Sequence, residues 1–260
     1  MSAQTRDQYQ ELAKRLATAK HVVVSTGAGI SRESGVPTFR EADGLWNKFR
    51  PEELANVDAF LANPKLVWEW YSWRRELISN VDPNPGHYAL AELETMVSKF
   101  TLITQNVDNL HREAGSTDVI ELHGNILRNK CQKCGISFNE GDAEAKMEFV
   151  EGTLPVCNCG KKGLLRPDVV WFGEILPEDA IQRAWDETAQ ADIFMCIGTS
   201  TVVYPAAALP FNAKTAGAYL VEVNPNPTEL TPLADLVLAE PSGEALPKVV
   251  ERLRELQAQA

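Results

Sequence analysis

Two hydrophobic periods alternate along this chain. Between Thr5 and Ala19, Leu12 and Leu16 fall four residues apart with Ala13 and Ala17 beside them, which predicts an amphipathic helix. Val22, Val23 and Val24 follow as an unbroken β-branched run, the pattern of a strand covered on both faces in a parallel sheet. Asn63-Pro64 opens a second helix running to about Ser79, with asparagine as N-cap and proline at the first helical position. On it Leu66, Trp70, Trp73 and Leu77 share the face expected to be core. Residues 83–86 read as a turn and 87–99 as a helix with Leu90, Leu93 and Val97 inward. Strands are predicted at 100–104, 119–122, 191–197, 218–223 and 236–238, and helices at 177–190, 204–214 and 242–257. Strands and helices that alternate in this way predict an α/β fold with a mostly parallel, doubly wound sheet.

Chemistry-bearing residues gather at the predicted strand ends. After the valine run, Thr26-Gly27-Ala28-Gly29 makes a tight turn and Ile30 to Arg32 reads as the start of a helix. A glycine turn feeding a helix N-terminus can hold a phosphate, but it can equally be a turn for packing alone. The spacing Gly27-x-Gly29-x-x-Arg32 lacks the third glycine of the dinucleotide fingerprint, and no acid-ended second strand follows as in a dehydrogenase. Residues 35–50 show no clean period and read as a long loop. Gln105-Asn106-Val107-Asp108 stands at the end of the 100–104 strand, where open α/β sheets bind ligands, although Asn106 and Asp108 could simply cap the next helix. Gly198-Thr199-Ser200 and Asn224 end two further strands.

Net charge is −11 and the isoelectric point about 4.9, which argues against direct nucleic-acid binding or an anionic membrane surface. No apolar run approaches the roughly 20 residues of a membrane span, and the polar N-terminal stretch lacks a signal segment, so a cytoplasmic protein is expected. Of five cysteines, four form the pairs Cys131-x-x-Cys134 and Cys157-x-Cys159, which suggests a closed four-thiolate zinc site rather than disulfides. A nucleophilic cysteine is the alternative. Lys130, Lys133, Lys161 and Lys162 would offset the thiolate charge, and Cys196 reads as inert core. Among the four histidines, His123 beside Gly124 at a strand end could serve as a general base, His87 caps or packs, and His111 reads as structural. Tyr71 and Arg74, three apart, share one helix face, where an aromatic ring packing on an arginine stem is the plain reading.

The ordered strings GAGIS, SGVPTFR, GLW, QNVD, HG, the cysteine pairs, VWFGE and GTS, from about residue 20 to 250, resemble the sirtuins, the NAD-dependent protein deacylases. The resemblance implies a Rossmann-like sheet formed by residues 1–34, 86–125 and 166–260. A smaller domain would comprise a cofactor loop and helical insertion at 35–85 and a zinc-binding insertion at 126–165, with the site in the cleft between the two domains. It implies NAD contacts from Gly27, Ala28, Gly29, Ile30, Thr38, Phe39, Arg40, Trp46, Gln105, Asn106, Asp108, Gly198, Thr199, Ser200, Asn224, Pro225, Asn226 and Ser242, and His123 as catalytic base. Residues 169–174 read as an exposed edge strand, in which Val170, Trp171, Phe172, Gly173 and Glu174 would pair with the substrate backbone.

The stretch from Trp68 to Glu76 is similar to the sirtuin class that prefers succinyl, malonyl or glutaryl lysine, in which a Tyr-x-x-Arg pair meets the acyl carboxylate. Tyr71 and Arg74 stand at those positions, and Ala55 at that of a small residue that widens the pocket. In the chemistry so implied, the acyl oxygen attacks the ribose carbon as nicotinamide leaves, and His123 takes a proton from a ribose hydroxyl. The products are free lysine, nicotinamide and O-acyl-ADP-ribose. The expected partners are acylated-lysine proteins, acted on by a monomer. An ADP-ribosyltransferase, a deacetylase without acidic-acyl preference and a silent NAD-binding module are the alternatives.

Overall fold

The computed structural model describes residues 3–38, 50–138, 142–147, 150 and 153–259. In chain order the elements are α1 (Ala3–Thr18), β1 (Val22–Thr26), α2 (Ala28–Arg32), α3 (Pro51–Leu54), α4 (Val57–Ala62), α5 (Pro64–Ser79) and α6 (Pro85–Met96), then β2 (Phe100–Thr104), α7 (Leu110–Glu113), β3 (Val119–Glu121), β4 (Gly124–Cys131) and β5 (Leu165–Val169). The chain closes with α8 (Glu178–Ala189), β6 (Ile193–Ile197), α9 (Leu209–Ala216), β7 (Tyr219–Val223), β8 (Leu236–Leu238) and α10 (Ser242–Gln257). Among the described residues the main sheet has the order β3-β2-β1-β6-β7-β8, every pair parallel. This is the doubly wound α/β sheet that the alternating periods predict, with β1 at its centre.

Successive residues of β1 point to opposite faces, and each face has its own core. Val22 and Val24 pack with Leu12, Leu16, Leu90, Leu93, Leu246 and Val250 of α1, α6 and α10. Val23 packs on the other side with Ile103, Phe194, Ala184 and Leu209, under α8 and α9. A third core stands apart from the sheet and joins two separate stretches of chain: Phe60, Val67, Trp68, Tyr71 and Ile78 meet Ile126, Leu165, Val169 and Trp171, with Cys131 and Cys157 in the same cluster.

Several expectations need correction. On α5 the covered stripe is Val67, Trp68, Tyr71, Arg74, Arg75 and Ile78, and of the four residues assigned to the core only Trp70 is buried. Leu66 and Trp73 are each 41% exposed. Periodicity defines stripes, but which stripe is covered depends on what packs against it. Here the antiparallel β4–β5 pair packs on the stripe that carries Arg75, whose guanidinium its carbonyl groups receive. Arg75 donates to Ile126 O at 2.7 Å, Arg128 O at 2.9 Å and Asn129 Oδ1 at 2.8 Å, and Trp68 Nε1 donates to Leu165 O at 3.0 Å.

β4 is not among the predicted strands. Its sequence mixes polar and apolar residues without alternation, and a register shift between Asn125 and Asn129 breaks the period. The edge strand expected over 169–174 does not form: the strand here is β5, which ends at Val169. The Glu174 amide donates to Trp171 O at 3.0 Å and its carboxylate accepts the Trp171 amide at 2.8 Å, which closes the segment into a turn. α6 starts two residues earlier than expected. A capping box closes its first turn: Asn84 Oδ1 accepts from Gly86, and the Asn84 amide donates to His87 Nδ1 at 3.2 Å. Residues 206–208 form a short 3-10 turn, and the α-helix begins only at Leu209.

Candidate active site

The C-terminal ends of β1, β2, β6 and β7 open onto a cavity of about 970 Å³ whose opposite wall comes from α5 and the turn after β5. This is the usual ligand position in an open parallel sheet. The glycine turn is needed first of all for packing. A Cβ on Gly29 would lie 2.6 Å from Gly198 O, and one on Gly27 2.7 Å from Thr199 Cβ. Gly198 sits at φ +59° with its backbone against Gly29, so the turns after β1 and β6 touch main chain to main chain. The amides of Gly27 and Gly29 are taken by Ile197 O and Gly198 O at 3.1 and 2.8 Å. These two amides thus serve the contact between the turns, which is the packing role open to the glycine turn.

Of the expected cofactor contacts, Gly27, Ala28, Gly29, Thr38, Gln105, Asn106, Gly198, Thr199, Ser200, Asn224, Pro225, Asn226 and Ser242 line the cavity. Ile30 and Asp108 do not. Ile30 belongs to the sheet core, and Asp108 is buried, its carboxylate accepting the Leu110 amide at 3.1 Å in the turn that leads into α7, whose N-cap is Asn109. Phe39, Arg40 and Trp46 lie outside the described residues. Ala55, Tyr71, Arg74, Val170, Trp171, Phe172, Gly173 and Glu174 all line the cavity.

A buried polar layer supports the sheet side. Asn106 Nδ2 donates to Gly27 O at 3.1 Å and to Ser31 Oγ at 3.0 Å, and Ser31 lies 3.4 Å from His87 Nε2. Burial raises the Asp108 carboxyl above its usual range, while Ser31 and the Leu110 amide act against the rise. His87 and His111 pack edge to face with ring centroids 4.8 Å apart. Burial pushes His87 down to about 4 and His111 well below its ordinary value, so both rings are neutral near pH 7. His123 differs: it lines the cavity, and its Nδ1 faces Gln105 O at 2.8 Å. A carbonyl can only accept, so the Nδ1 proton is donated there and Nε2 of the neutral ring keeps its lone pair. That is the tautomer a general base requires.

The opposite wall is aromatic and cationic. Tyr71 and Arg74 are 2% and 7% exposed. The Arg74 guanidinium stands 4.9 Å from the Trp70 ring centroid and 5.6 Å from that of Tyr71. Burial lowers Arg74 from its usual range, with Tyr71 and Asp108 favouring the charge. Burial raises Tyr71 despite Arg74 and a hydrogen bond from Trp171 Nε1 at 2.8 Å, so the phenol keeps its proton. Glu33 and Trp70 line the cavity and are missing from the expectations, as is Ser31, which accepts from Asn106 behind the cavity wall. Glu33 accepts from Ser242 Oγ at 3.1 Å and the Gly243 amide at 2.7 Å, tying α2 to α10 across the cavity rim. The GAGIS string contains Ser31, but a serine in a first helical turn carries no signal by itself.

Cys131, Cys134, Cys157 and Cys159 bring their sulfur atoms within 4.8 Å of one another. Four thiolates at the usual zinc–sulfur length of about 2.3 Å form a tetrahedron with edges of about 3.8 Å. The Cys131 and Cys159 Sγ atoms stand 3.8 Å apart, so the set fits a structural zinc with no open position. The close Cys157-x-Cys159 spacing fits as well, because the Cys159 amide turns back onto Cys157 Sγ at 3.3 Å. Cys196 is buried in β6, and burial raises its thiol far above the ordinary range, as expected of inert core.

This combination of parallel sheet, cleft histidine and four-cysteine insertion has known counterparts. Residues 27–205 match the Sir2 family, and the chain belongs to that family. It is 52% identical over 247 residues to an NAD-dependent protein deacylase of Pyrococcus abyssi, covering 95% of this chain and 98% of the relative. It is 48% identical over 257 residues to an NAD-dependent protein deacylase of Thermus thermophilus, covering 97% and 98%. Among solved structures, a Sir2 homologue–NAD complex superposes with a TM-score of 0.87 at 47% identity over 95% of this chain and 94% of the other. A Sir2 protein bound to a myristoylated histone peptide superposes at 0.75 and 37% identity, over 98% and 100%.

Proposed function

We propose that this chain is an NAD-dependent protein-lysine deacylase whose preferred acyl groups end in a carboxylate: succinyl, malonyl and glutaryl, with some activity on acetyl. The products are free lysine, nicotinamide and O-acyl-ADP-ribose, and the substrates are acylated-lysine proteins. The observation that carries the acidic-acyl reading is the buried cation in the cavity wall, Arg74 beside the protonated phenol of Tyr71. An acyl carboxylate entering this wall must leave water, and a guanidinium fork with a phenol donor offsets that loss through charge-assisted hydrogen bonds. Small Ala55, 5% exposed, lines the same wall and leaves room for a branched or longer chain.

The bound dinucleotide supplies an electrophilic ribose carbon with nicotinamide as its leaving group. The residues that hold it in this reading are those on the strand ends, with Asn224 fixing the Thr199 carbonyl at 3.1 Å and Gln105 reaching Thr199 Oγ1 at 3.3 Å. His123 receives a hydroxyl proton at Nε2, and its Nδ1–H stays on Gln105 O. Phe172, half exposed at the mouth, with Gly173 and Glu174, receives the peptide backbone.

The test is turnover on one peptide sequence carrying acetyl, succinyl, malonyl or glutaryl lysine. A kcat/KM for at least one acidic acyl group above that for acetyl is expected. Acetyl lysine outpacing all three would leave a plain deacylase, and nicotinamide release independent of acyl peptide would point to ADP-ribosyl transfer.

A further inference from the structure

Trp171 is held by more groups than packing requires. The Arg166 guanidinium lies 3.4 Å from its ring centroid, and Phe60 packs on it with centroids 5.3 Å apart. Its backbone amide donates to Glu174 Oε2 at 2.8 Å, and Arg166 grips the same carboxylate through two nitrogens at 2.8 and 2.6 Å. Arg166 is anchored in turn by Val169 O at 2.8 Å and by Gln132 Oε1 at 3.0 Å, from the residue after the first zinc-site cysteine. These contacts leave the indole one orientation, with Nε1 2.8 Å from Tyr71 Oη.

That contact sets the direction of hydrogen bonding at the phenol. An indole N–H only donates, so the Tyr71 oxygen accepts from it. A guanidinium offers no acceptor either, so neither Trp171 nor Arg74 can take the phenolic proton. Tyr71 lines the cavity. We propose that Trp171 is a positioning residue for acyl selection: by occupying the acceptor side of the Tyr71 hydroxyl, it turns the phenolic proton into the cavity, to be donated to the carboxylate of an acidic acyl chain. The donor is aimed before substrate arrives, so little reorganisation accompanies binding. An acetyl group has no carboxylate and gains nothing from this arrangement. The inference rests on the acidic-acyl reading above and names the group that aims one of its two donors.

Trp171→Phe keeps an aromatic ring beneath Arg166 and removes the donor together with part of the ring area. On succinyl peptide KM should rise on the order of 5-fold, the loss of about one hydrogen bond, with kcat nearly constant and a smaller change on acetyl peptide. In a Tyr71→Phe background the same substitution should add little, because the hydroxyl it aims is gone. Phe60→Leu, which loosens the same packing without touching the N–H, should move both substrates alike. Should Trp171→Phe not fold, 3-benzothienylalanine at position 171 replaces the N–H by sulfur in an isosteric ring and is expected to give the same selective rise. Equal loss on both peptides, full additivity with Tyr71→Phe, or the same selectivity from Phe60→Leu would each overturn the positioning role. Arg74→Met separates the two levels. If it weakens succinyl selectively while Trp171→Phe does not, only the role of Trp171 falls; if it weakens both peptides equally, the acidic-acyl reading falls and the positioning role with it.

Discussion

The two walls of the cavity are made in different ways. The sheet wall comes from strand ends and the few residues after each: Gly27 to Gly29, Gln105 and Asn106, Gly198 to Ser200, Asn224. Its geometry is largely backbone geometry, secured by main-chain contact between Gly29 and Gly198. The opposite wall is made of side chains from segments far apart in sequence: Ala55, the inner stripe of α5, and residues 170–174. It is held by a separate aromatic core that also contains Cys131 and Cys157. A wall of backbone tolerates little change in shape, whereas a wall of side chains can be altered one contact at a time. The first suits a constant ligand and the second a group that sets selectivity.

Removing the metal should separate the two walls most. If the cysteine cluster holds one structural zinc, chelation should release amide protection in residues 51–79 and 124–169 while the main sheet stays protected, and turnover should be lost. Hydrogen exchange read by mass spectrometry checks this. Unchanged protection after zinc removal would mean that the aromatic core stands on its own.

His123→Ala tests the sheet side. The general base should be worth about 10²–10⁴-fold in kcat. His123 stands at the cavity surface, outside the three apolar cores, so the loss should come with an unchanged melting temperature and a full zinc complement. Near-normal turnover on any acyl peptide would remove His123 from the chemistry.

Arg74→Met tests the other wall. Removing the charge should raise KM for succinyl peptide by about 30-fold or more, from about 2–5 kcal/mol of lost pairing, and leave acetyl turnover little changed. Steady-state kinetics on both peptides gives the ratio, which a purely structural arginine would not shift.

The smallest effect concerns the polar layer beneath the sheet wall. His87 stays neutral in the folded chain down to about pH 4, whereas an ordinary imidazole takes a proton below about 6.5. Between those values the unfolded chain binds more protons, so stability should fall as pH drops from about 6.5 to about 4, by at most ~3 kcal/mol from this group. His111 acts in the same direction. Thermal melts across that range should slope less steeply for His87→Gln than for the parent chain.

What can be read before folding divides along the same line as the two walls. The sheet, its strand ends and the cysteine pairs are legible because each depends on neighbours within a few residues: a β-branched run, a turn, a thiolate spacing; the role of His123 enters through the family resemblance. Asn84 and His87 also act locally, through one capping box. Periodicity alone selects the wrong stripe of α5 and extends a strand through the turn after β5. In both cases the deciding partner is remote, Ile126 and Asn129 for Arg75 and Arg166 for Glu174.

The alternation of strand and helix and the four-cysteine donor set for a metal could be read from the chain before folding. These follow from backbone periodicity and from the chemistry of single residue types. The inward placing of Arg74 and Tyr71, the Nε2 lone pair of His123 and the bond from Trp171 to Tyr71 came only with the folded chain. The reason is physical: burial and hydrogen-bond direction belong to pairs of groups, and these pairs form only when distant segments close on one another.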